Sequence, residues 1–238
     1  MSTRLYALHR IVAAVALGQL FIWTVSGLVF AIIPGNRVRG AAVEKAHEAP
    51  IGAGSDVIPV AEALRVAAES GLERVTRIEL KATPSGLFYV ARGEGGVVRL
   101  DARTAAPVPV TTEEAEEIAR RDQPGRPAVI ASERLERSAG VEFRGRSLPA
   151  YRVELGDELG TVVYVDAKTG DVTARRTNAW RLFDFMSSIH IMDYKDREDR
   201  NQPLLIGAGV LALVTVASGV ALWGIRIARR LRRRRAKS

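Results

Sequence analysis

The chain of 238 residues contains no cysteine and only three histidines, His9, His47 and His190. The lack of cysteine excludes disulfides, thiolate metal sites and a thiol nucleophile, so a domain in an oxidising compartment must be held together by its own core. A serine nucleophile needs a base and an orienting group within reach, and the sequence shows neither a GxSxG motif nor another such set. These absences predict a protein without nucleophilic catalysis.

Charged residues are absent from residues 11–36 and from residues 201–225. Each window is long enough to cross a bilayer, since about 20 apolar residues in a helix span roughly 30 Å of hydrocarbon. We therefore predict transmembrane helices at residues 11–33 and 204–225. The first exceeds the roughly 7 to 15 residues of a signal-peptide core and lacks a good A-x-A cleavage site, which favours an uncleaved anchor.

The net charge of +8 comes from the two ends of the chain. Ten of the 35 Lys and Arg lie in residues 1–10 and 226–238. The other 25 lie between these ends, together with all 27 Asp and Glu, so the middle of the chain is slightly acidic. Because Lys and Arg near helix ends stay on the cytoplasmic side, both termini are predicted to be cytoplasmic and residues 34–203 to lie outside. The basic tail is expected to set topology and to contact membrane lipids, not nucleic acid.

The outer region is predicted to comprise a linker, residues 34–58, and two similar parts, residues 59–110 and 111–178. Each part begins with a short amphipathic helix, the first entered at Pro59 and the second capped by Thr111 or Thr112. Runs rich in β-branched and aromatic residues, separated by turn signals, follow each helix. The predicted strands are residues 74–80, 86–92 and 96–102 in the first part and residues 140–145, 149–155 and 160–167 in the second.

The two parts are similar in sequence at their third strands. "VVRLDARTAAPV" from Val97 aligns with "VVYVDAKTGDV" from Val162. The matched residues are Asp101 with Asp166, Ala102 with Ala167 and Thr104 with Thr169, and Tyr89 and Tyr151 fall in the preceding strands. This pattern predicts an internal duplication of one helix-plus-three-strand unit.

These residues resemble the PepSY family, in which a helix packs on an antiparallel meander that closes in a turn like "YVDAKTGDV". The first part departs from that pattern, with Ala105 where Gly170 stands in the second, so a different turn is expected there. "LHRIVAAVALGQLFIWTVSGLVF" and "SSIHIMDY" are similar to the opening helix and the His and Asp element of PepSY-associated membrane proteins.

The resemblance implies an α+β inner-membrane protein in which two transmembrane helices flank a periplasmic tandem PepSY-like domain. It implies a non-enzymatic accessory or regulatory role with a periplasmic or integral-membrane protein partner and no cofactor. Relatives with more helices are associated with ferric-siderophore reduction, so the alternative is a haem-binding redox or iron-uptake subunit. Its ligands would be His9 or His190.

Geometry opposes pairing the two histidines on one haem in one chain. His9 opens the first helix on the inside and His190 precedes the second on the outside, so about 35 Å is expected between them. A second copy or a partner subunit would have to supply the other ligand. His190 with Asp193, three residues later, offers too few ligands for a metal site.

Residues 179–194 are predicted to form an amphipathic helix at the outer membrane surface, with a core helix of the outer domain as the alternative. Its proposed interfacial residues are Trp180, Phe183, Met186, Ile189 and Tyr194.

Small and polar residues at helical spacing predict close packing of the two transmembrane helices. They are Ala14 and Gly18 in the first helix and Ala208, Ala212, Thr215 and Gly219 in the second. Gln19 is expected to lie level with residues 215–218 and to form an interhelical hydrogen bond there.

Overall fold

The computed structural model describes residues 3–38, 56–137, 140–195, 197 and 202–235. They fall into two compact units. The helical unit comprises residues up to Ile33 and from Leu182 onward, and the sheet unit comprises Pro34–Arg181. Most of the predicted linker, residues 39–55, lies outside the described residues.

Two long helices dominate the helical unit, α1 (Thr3–Ile32) and α6 (Pro203–Arg235). The stretches His9–Ile32 and Pro203–Arg233 are long and apolar enough to cross a membrane, by length and composition. Helix α6 continues into the basic tail, which was predicted only as a segment without assigned structure. The hydroxyls of Thr24 and Thr215 donate to carbonyls four residues earlier, so these polar groups need no water.

The face of α1 that is turned inward differs from the predicted one. Ala16 (3% exposed) and Ser26 (1%) are buried, and Gln19 and Trp23 between them are half-buried. These four residues recur every three or four positions and so form one stripe along the helix. Ala14 and Gly18 lie off this stripe on the exposed face, and a side chain at Gly18 would meet nothing within 4 Å, which corrects their predicted packing role.

The small residues of α6 lie on its less exposed side. Ala208, Ala212, Thr215 and Gly219 are all half-buried. Space remains around Gly219, where an added side chain would meet nothing within 4 Å. The helices α1 and α6 pack against each other within the helical unit.

The predicted hydrogen bond from Gln19 is not formed. Its Nε2 atom is buried and has no hydrogen-bond partner among the described residues. The hydroxyl of Ser218 donates instead to the carbonyl of Thr215 (2.9 Å) and lies 3.2 Å from Nδ1 of His9. The hydroxyls of Thr215 and Ser218, which Gln19 was expected to reach, donate to backbone carbonyls of α6 instead.

The first half of the sheet unit is a helix packed on a three-stranded antiparallel sheet. Helix α2 (Gly35–Val38) is followed by α3 (Val60–Glu69), β1 (Arg74–Thr83), β2 (Gly86–Glu94) and β3 (Gly96–Asp101). Ala63 and Ala67 of α3 pack on Tyr89 and Leu100. The small alanine side chains bring the helix close to the sheet, and the aromatic and leucine side chains supply most of the buried apolar area.

The second half has the same helix-then-sheet order with one more strand. It comprises α4 (Thr112–Arg121), β4 (Val129–Leu135), β5 (Ala150–Leu155), β6 (Val162–Asp166) and β7 (Val172–Arg176), with strand order β4-β5-β6-β7. Thr111 caps α4, as predicted, by accepting a hydrogen bond from the backbone N–H of Glu114 (3.2 Å). Ala115 and Ala119 pack on Val153 and Val163.

Residues 140–145 do not form the predicted strand. Gly140–Phe143 is a 3-10 helix, and Gly140 and Gly145 both have positive φ, which breaks an extended chain. Phe143 is 2% exposed and stacks on Tyr164 with ring centroids 4.6 Å apart, so its apolar side chain serves packing. In the place predicted for residues 140–145, β5 pairs with β4. Most residues of β4 are exposed and the strand carries a bulge, so its sequence lacks the alternation of apolar and polar residues that predicts a strand.

The closing turns of the two halves are the same, contrary to the expectation for Ala105. Asp101 and Asp166 each accept backbone hydrogen bonds at Oδ1 from the residues two and three positions later, at 2.8–2.9 Å. Ala105 (φ 61°) and Gly170 (φ 76°) both adopt the left-handed conformation and donate to the Asp101 and Asp166 carbonyls. The hydrogen bonds of the Asp and Thr side chains determine the turn. Ala105 therefore adopts a positive φ, although this conformation is strained for a residue with a Cβ atom.

Substitutions at these two turns should have opposite effects on stability. Gly170→Ala is expected to lower the free energy of unfolding by about 1–2 kcal/mol, because the new Cβ strains a left-handed residue and lies 3.4 Å from Ile118. Ala105→Gly removes such strain and is expected to raise the free energy of unfolding by up to about 1 kcal/mol. Urea unfolding of the full chain in detergent measures both, and a clear loss in Ala105→Gly would contradict this account.

Candidate functional sites

His190, the last residue of α5 (Asn178–His190), packs on α1. Its backbone carbonyl accepts a hydrogen bond from Trp23 Nε1 (2.9 Å), and its ring nitrogen Nδ1 lies 2.8 Å from the Ser26 hydroxyl. The ring meets Phe30 edge-on at 5.3 Å between centroids. His190 therefore lies beside the second half of α1, where it contacts Trp23, Ser26 and Phe30.

Ser26 links His190 to the backbone of α1. The Ser26 hydroxyl lies within hydrogen-bond distance of the carbonyls of Ile22 (2.9 Å) and Trp23 (3.2 Å) as well as of Nδ1 of His190 (2.8 Å). Among the described residues no group of three or more His, Asp or Glu is arranged to hold a metal ion.

His9 and His190 are not brought together in one chain. His9 contacts Ser218, and His190 contacts Ser26, which lies 17 residues along α1 from His9. At 1.5 Å per residue this places the histidines about 25 Å apart, less than the predicted 35 Å because α5 ends alongside α1 and not beyond it.

Two polar side chains of α5 are buried. Asp184 (5% exposed) and Ser188 (2%) are buried, and Asp184 forms an ion pair with Arg197 (2.6 Å). Leu182 and Phe185 are 45% and 49% exposed. A helix with its polar groups paired inside and its apolar groups outside suits an apolar environment.

The predicted interfacial residues of α5 are divided between the two units. Phe183 packs on Phe30 (4.8 Å between centroids), Met186 and Ile189 are half-buried, and Tyr194 is 61% exposed. Trp180 belongs to the sheet unit, where the guanidinium of Arg176 lies 4.1 Å from its ring centroid.

A buried ion pair joins the two halves of the sheet unit. Arg99 on β3 donates to both carboxylate oxygens of Glu114 on α4 (2.8 and 2.5 Å), and their side chains are 1% and 4% exposed. Thr83 adds a hydrogen bond to the same carboxylate (2.6 Å), and Phe88 lies under the guanidinium at 3.5 Å. The helix of the second half is thereby tied to the sheet of the first. No sequence motif marks this pair, because Arg and Glu are common on solvated surfaces.

A second, more exposed ion pair cluster spans the same halves. Asp171, beside the second closing turn, accepts from Lys81 (2.5 Å), Arg92 (2.9 Å) and Thr169 (2.9 Å). Burial raises the pKa of Asp171, but the hydrogen bonds from Lys81 and Thr169 and the charges of Lys81 and Arg92 outweigh it, so the pKa lies below its ordinary value.

The Asp171 cluster should lose its contribution to stability in acid. A carboxylate whose pKa is lower in the folded state stabilises the fold above its unfolded pKa of about 3.9, and this contribution disappears as the pH falls through the folded value. Between pH 5 and pH 2.5 the wild-type chain should therefore lose more unfolding free energy than Asp171→Asn. We expect a difference of about 1 kcal/mol or less, since the side chain is 39% exposed. Identical pH profiles in thermal unfolding would contradict this.

The outer edge of β4 is open among the described residues. The strand lies at the end of its sheet and carries a register irregularity between Val129 and Ala131. Ile130, at the irregularity, is 65% exposed. An edge strand presents unpaired N–H and C=O groups, and an exposed apolar side chain beside them favours binding of an extended peptide.

The second half of the sheet unit is a helix on an antiparallel sheet with an open edge, in a chain with two helices long and apolar enough to cross a membrane. Residues 109–176 match the PepSY family, described as peptidase propeptide and YPEB domain. The chain thus carries a PepSY domain, formed by α4 and β4–β7, and the family resemblance in the sequence is confirmed for this segment. No curated protein and no solved structure gives a significant match to the chain.

Proposed function

We propose that this protein is a non-enzymatic accessory or regulatory protein of the bacterial inner membrane that binds a protein partner through its PepSY domain. In this proposal α1 and α6 cross the membrane, both termini are cytoplasmic, and residues 34–203 are periplasmic. Basic residues at both chain ends support the orientation.

The sheet unit is proposed to be a tandem of two PepSY-like repeats. Tyr89 and Tyr151 lie on the second strands of the two halves, and each donates a 2.9 Å hydrogen bond to the carbonyl just before its own helix segment, that of Ile58 or Val110. Residues 106–108 run antiparallel to β3 as β7 runs beside β6, with Val108 N–H donating to the Arg99 carbonyl. Pro107 and Pro109 lack backbone N–H groups, which accounts for the missing fourth strand in the first half.

The open β4 edge is the observation that carries the binding proposal. An extended segment of a periplasmic or integral-membrane partner would add a strand beside β4, with its backbone hydrogen bonds supplying affinity and Ile130 a pocket contact. The bulge and the charged Glu133 and Arg134 oppose indiscriminate pairing. Specificity would then depend on the partner's side chains.

Photo-crosslinking in intact membranes tests this mode of binding. A photoreactive amino acid at Ile130 is expected to capture one discrete partner chain, and Ile130→Lys placed beside a crosslinker at Ala131 is expected to reduce the yield several-fold. Leu159 is the matched control, since it is 52% exposed and lies outside the strands of the same domain. Equal crosslinking from both positions, or none from Ile130, would contradict binding at β4.

The proposal includes no resident cofactor. The separation of His9 from His190 supports this, because one haem cannot be ligated by both in a single chain. A reduced-minus-oxidised spectrum of protein purified from haem-replete cells should lack Soret and α bands. Bands that vanish in His190→Ala would favour the redox alternative.

A further inference from the structure

The strand β5 divides its backbone hydrogen bonds between its two neighbours in the sheet, β4 and β6. The N–H of Leu155 donates to the carbonyl of Thr161 (2.9 Å), the residue directly before β6. Alternate residues of a strand direct their backbone N–H and C=O groups to opposite sides. Because Leu155 bonds toward β6, the even-numbered residues of β5 direct their backbone groups to β4.

The register between β4 and β5 then identifies the backbone groups at the open edge of β4. Ala131, Glu133 and Leu135 are opposite the even-numbered residues of β5, at positions 154, 152 and 150. Their backbone N–H and C=O groups are therefore directed to β5. Ser132 and Arg134 alternate with them, so the N–H and C=O groups of these two residues point away from the sheet. A strand added to β4 would form its hydrogen bonds with Ser132 and Arg134.

The side chain of Ser132 lies on the face of the sheet that α4 covers. Ser132 is opposite Val153, which packs with Ala115 and Ala119 of α4. The Ser132 hydroxyl donates to Oε1 of Glu116, which is half-buried on the same helix. An antiparallel strand added beside β4 would place the side chain opposite Ser132 on this face as well, with about 5.5 Å between the two Cα atoms. That side chain would lie next to the Glu116 carboxylate.

Glu116 forms no ion pair with any residue that the structure describes. Arg120, four residues later on α4, bonds to Glu117 (3.2 Å), and Arg134, on the same face of β4, bonds to Glu136 (2.8 Å). An added strand would remove water from the Glu116 carboxylate, and covering a charge that has no partner is unfavourable. A cationic side chain in the added strand would offset this cost.

We propose that the segment bound at β4 carries a Lys or Arg residue opposite Ser132, and that Glu116 recognises this residue by forming an ion pair with it. The partner segment is thus an extended peptide with a basic residue at one defined position. An acidic residue at that position is excluded by repulsion from Glu116. The inference rests on the strand addition proposed above and adds the charge of the residue that is recognised.

Three fluorescent peptides test the pairing, each of about nine residues that alternate Thr and Val, with Lys, Gln or Glu at the central position. Fluorescence anisotropy measures their binding to the full chain in detergent. The wild-type chain is expected to bind the Lys peptide about fivefold more tightly than the Gln peptide, whereas Glu116→Gln should bind the two equally. Glu116→Lys should instead prefer the Glu peptide. Hydrogen exchange of the Ser132 and Arg134 amides should slow in the bound state, which locates the peptide at β4.

Glu69→Gln is the matched control, since it removes the same charge from an exposed position on α3, the helix of the first half. It should keep the preference for the Lys peptide. Loss of this preference in Glu69→Gln, or its persistence in Glu116→Gln, would overturn the pairing with Glu116. Equal binding of all three peptides by the wild-type chain would also overturn the pairing and would leave strand addition intact. No binding of any peptide would overturn strand addition at β4, and this inference with it.

Discussion

Glu114→Gln is expected to lower the free energy of unfolding of the sheet unit by about 3–5 kcal/mol. The substitution leaves the Arg99 guanidinium buried with its charge uncompensated, where its side chain is only 1% exposed. The hydrogen bond that Thr83 donates to the carboxylate is also weakened. Because the pair links α4 to β3, the two halves should then unfold in separate transitions.

Two further variants separate this effect from a general loss of charge. Glu69→Gln removes the same charge from an exposed pair, Arg65–Glu69 (2.6 Å), and should cost less than about 0.5 kcal/mol. Arg99→Met combined with Glu114→Leu removes both buried charges and should recover most of the loss. Differential scanning calorimetry of the full chain in detergent measures all three. A double variant as unstable as Glu114→Gln would show that packing, and not the uncompensated charge, dominates.

Phe143→Ala should cost a similar amount, about 3–5 kcal/mol of unfolding free energy. The ring is 2% exposed, stacks on Tyr164 and packs with Leu135 and Val162, so its loss leaves a cavity in the core. The 3-10 helix also presents the Glu142 carbonyl to Nε of Arg176 (2.6 Å), so the variant should weaken this hydrogen bond as well.

The control for this prediction is Leu159→Ala, which truncates an apolar side chain that is 52% exposed. It should change the unfolding free energy by less than about 0.5 kcal/mol. Urea unfolding followed by circular dichroism measures both variants. A loss below 1 kcal/mol in Phe143→Ala would mean that residues 140–143 are not packed against the sheet as described.

The sequence is most informative where one physical constraint dominates. Two charge-free windows specify the long helices, and Thr111 followed by acidic residues specifies the start of α4. The Asp and Thr pattern specifies both closing turns, including the one with Ala105.

The predictions from the sequence were wrong where contacts between distant residues determine the local structure. Residues 140–145 have the composition of a strand, but positive φ at two glycines and burial of Phe143 make them a compact turn. The inward face of α1 depends on which helix it meets, so the spacing of small residues indicates Ala14 and Gly18, whereas the buried residue is Ala16. The contacts of His190 with Trp23 and Ser26 join residues more than 160 positions apart, and no local pattern marks them.

Cysteine accessibility tests the central claim, that two membrane helices hold a PepSY domain outside the cytoplasm. The chain has no cysteine, so a single one at Ser85, an exposed turn residue between β1 and β2, is a clean reporter. Ser85→Cys should react with a membrane-impermeant maleimide in intact spheroplasts, whereas Ser238→Cys should react only after lysis. Labelling of Ser238→Cys in intact spheroplasts, or protection of Ser85→Cys, would contradict the account.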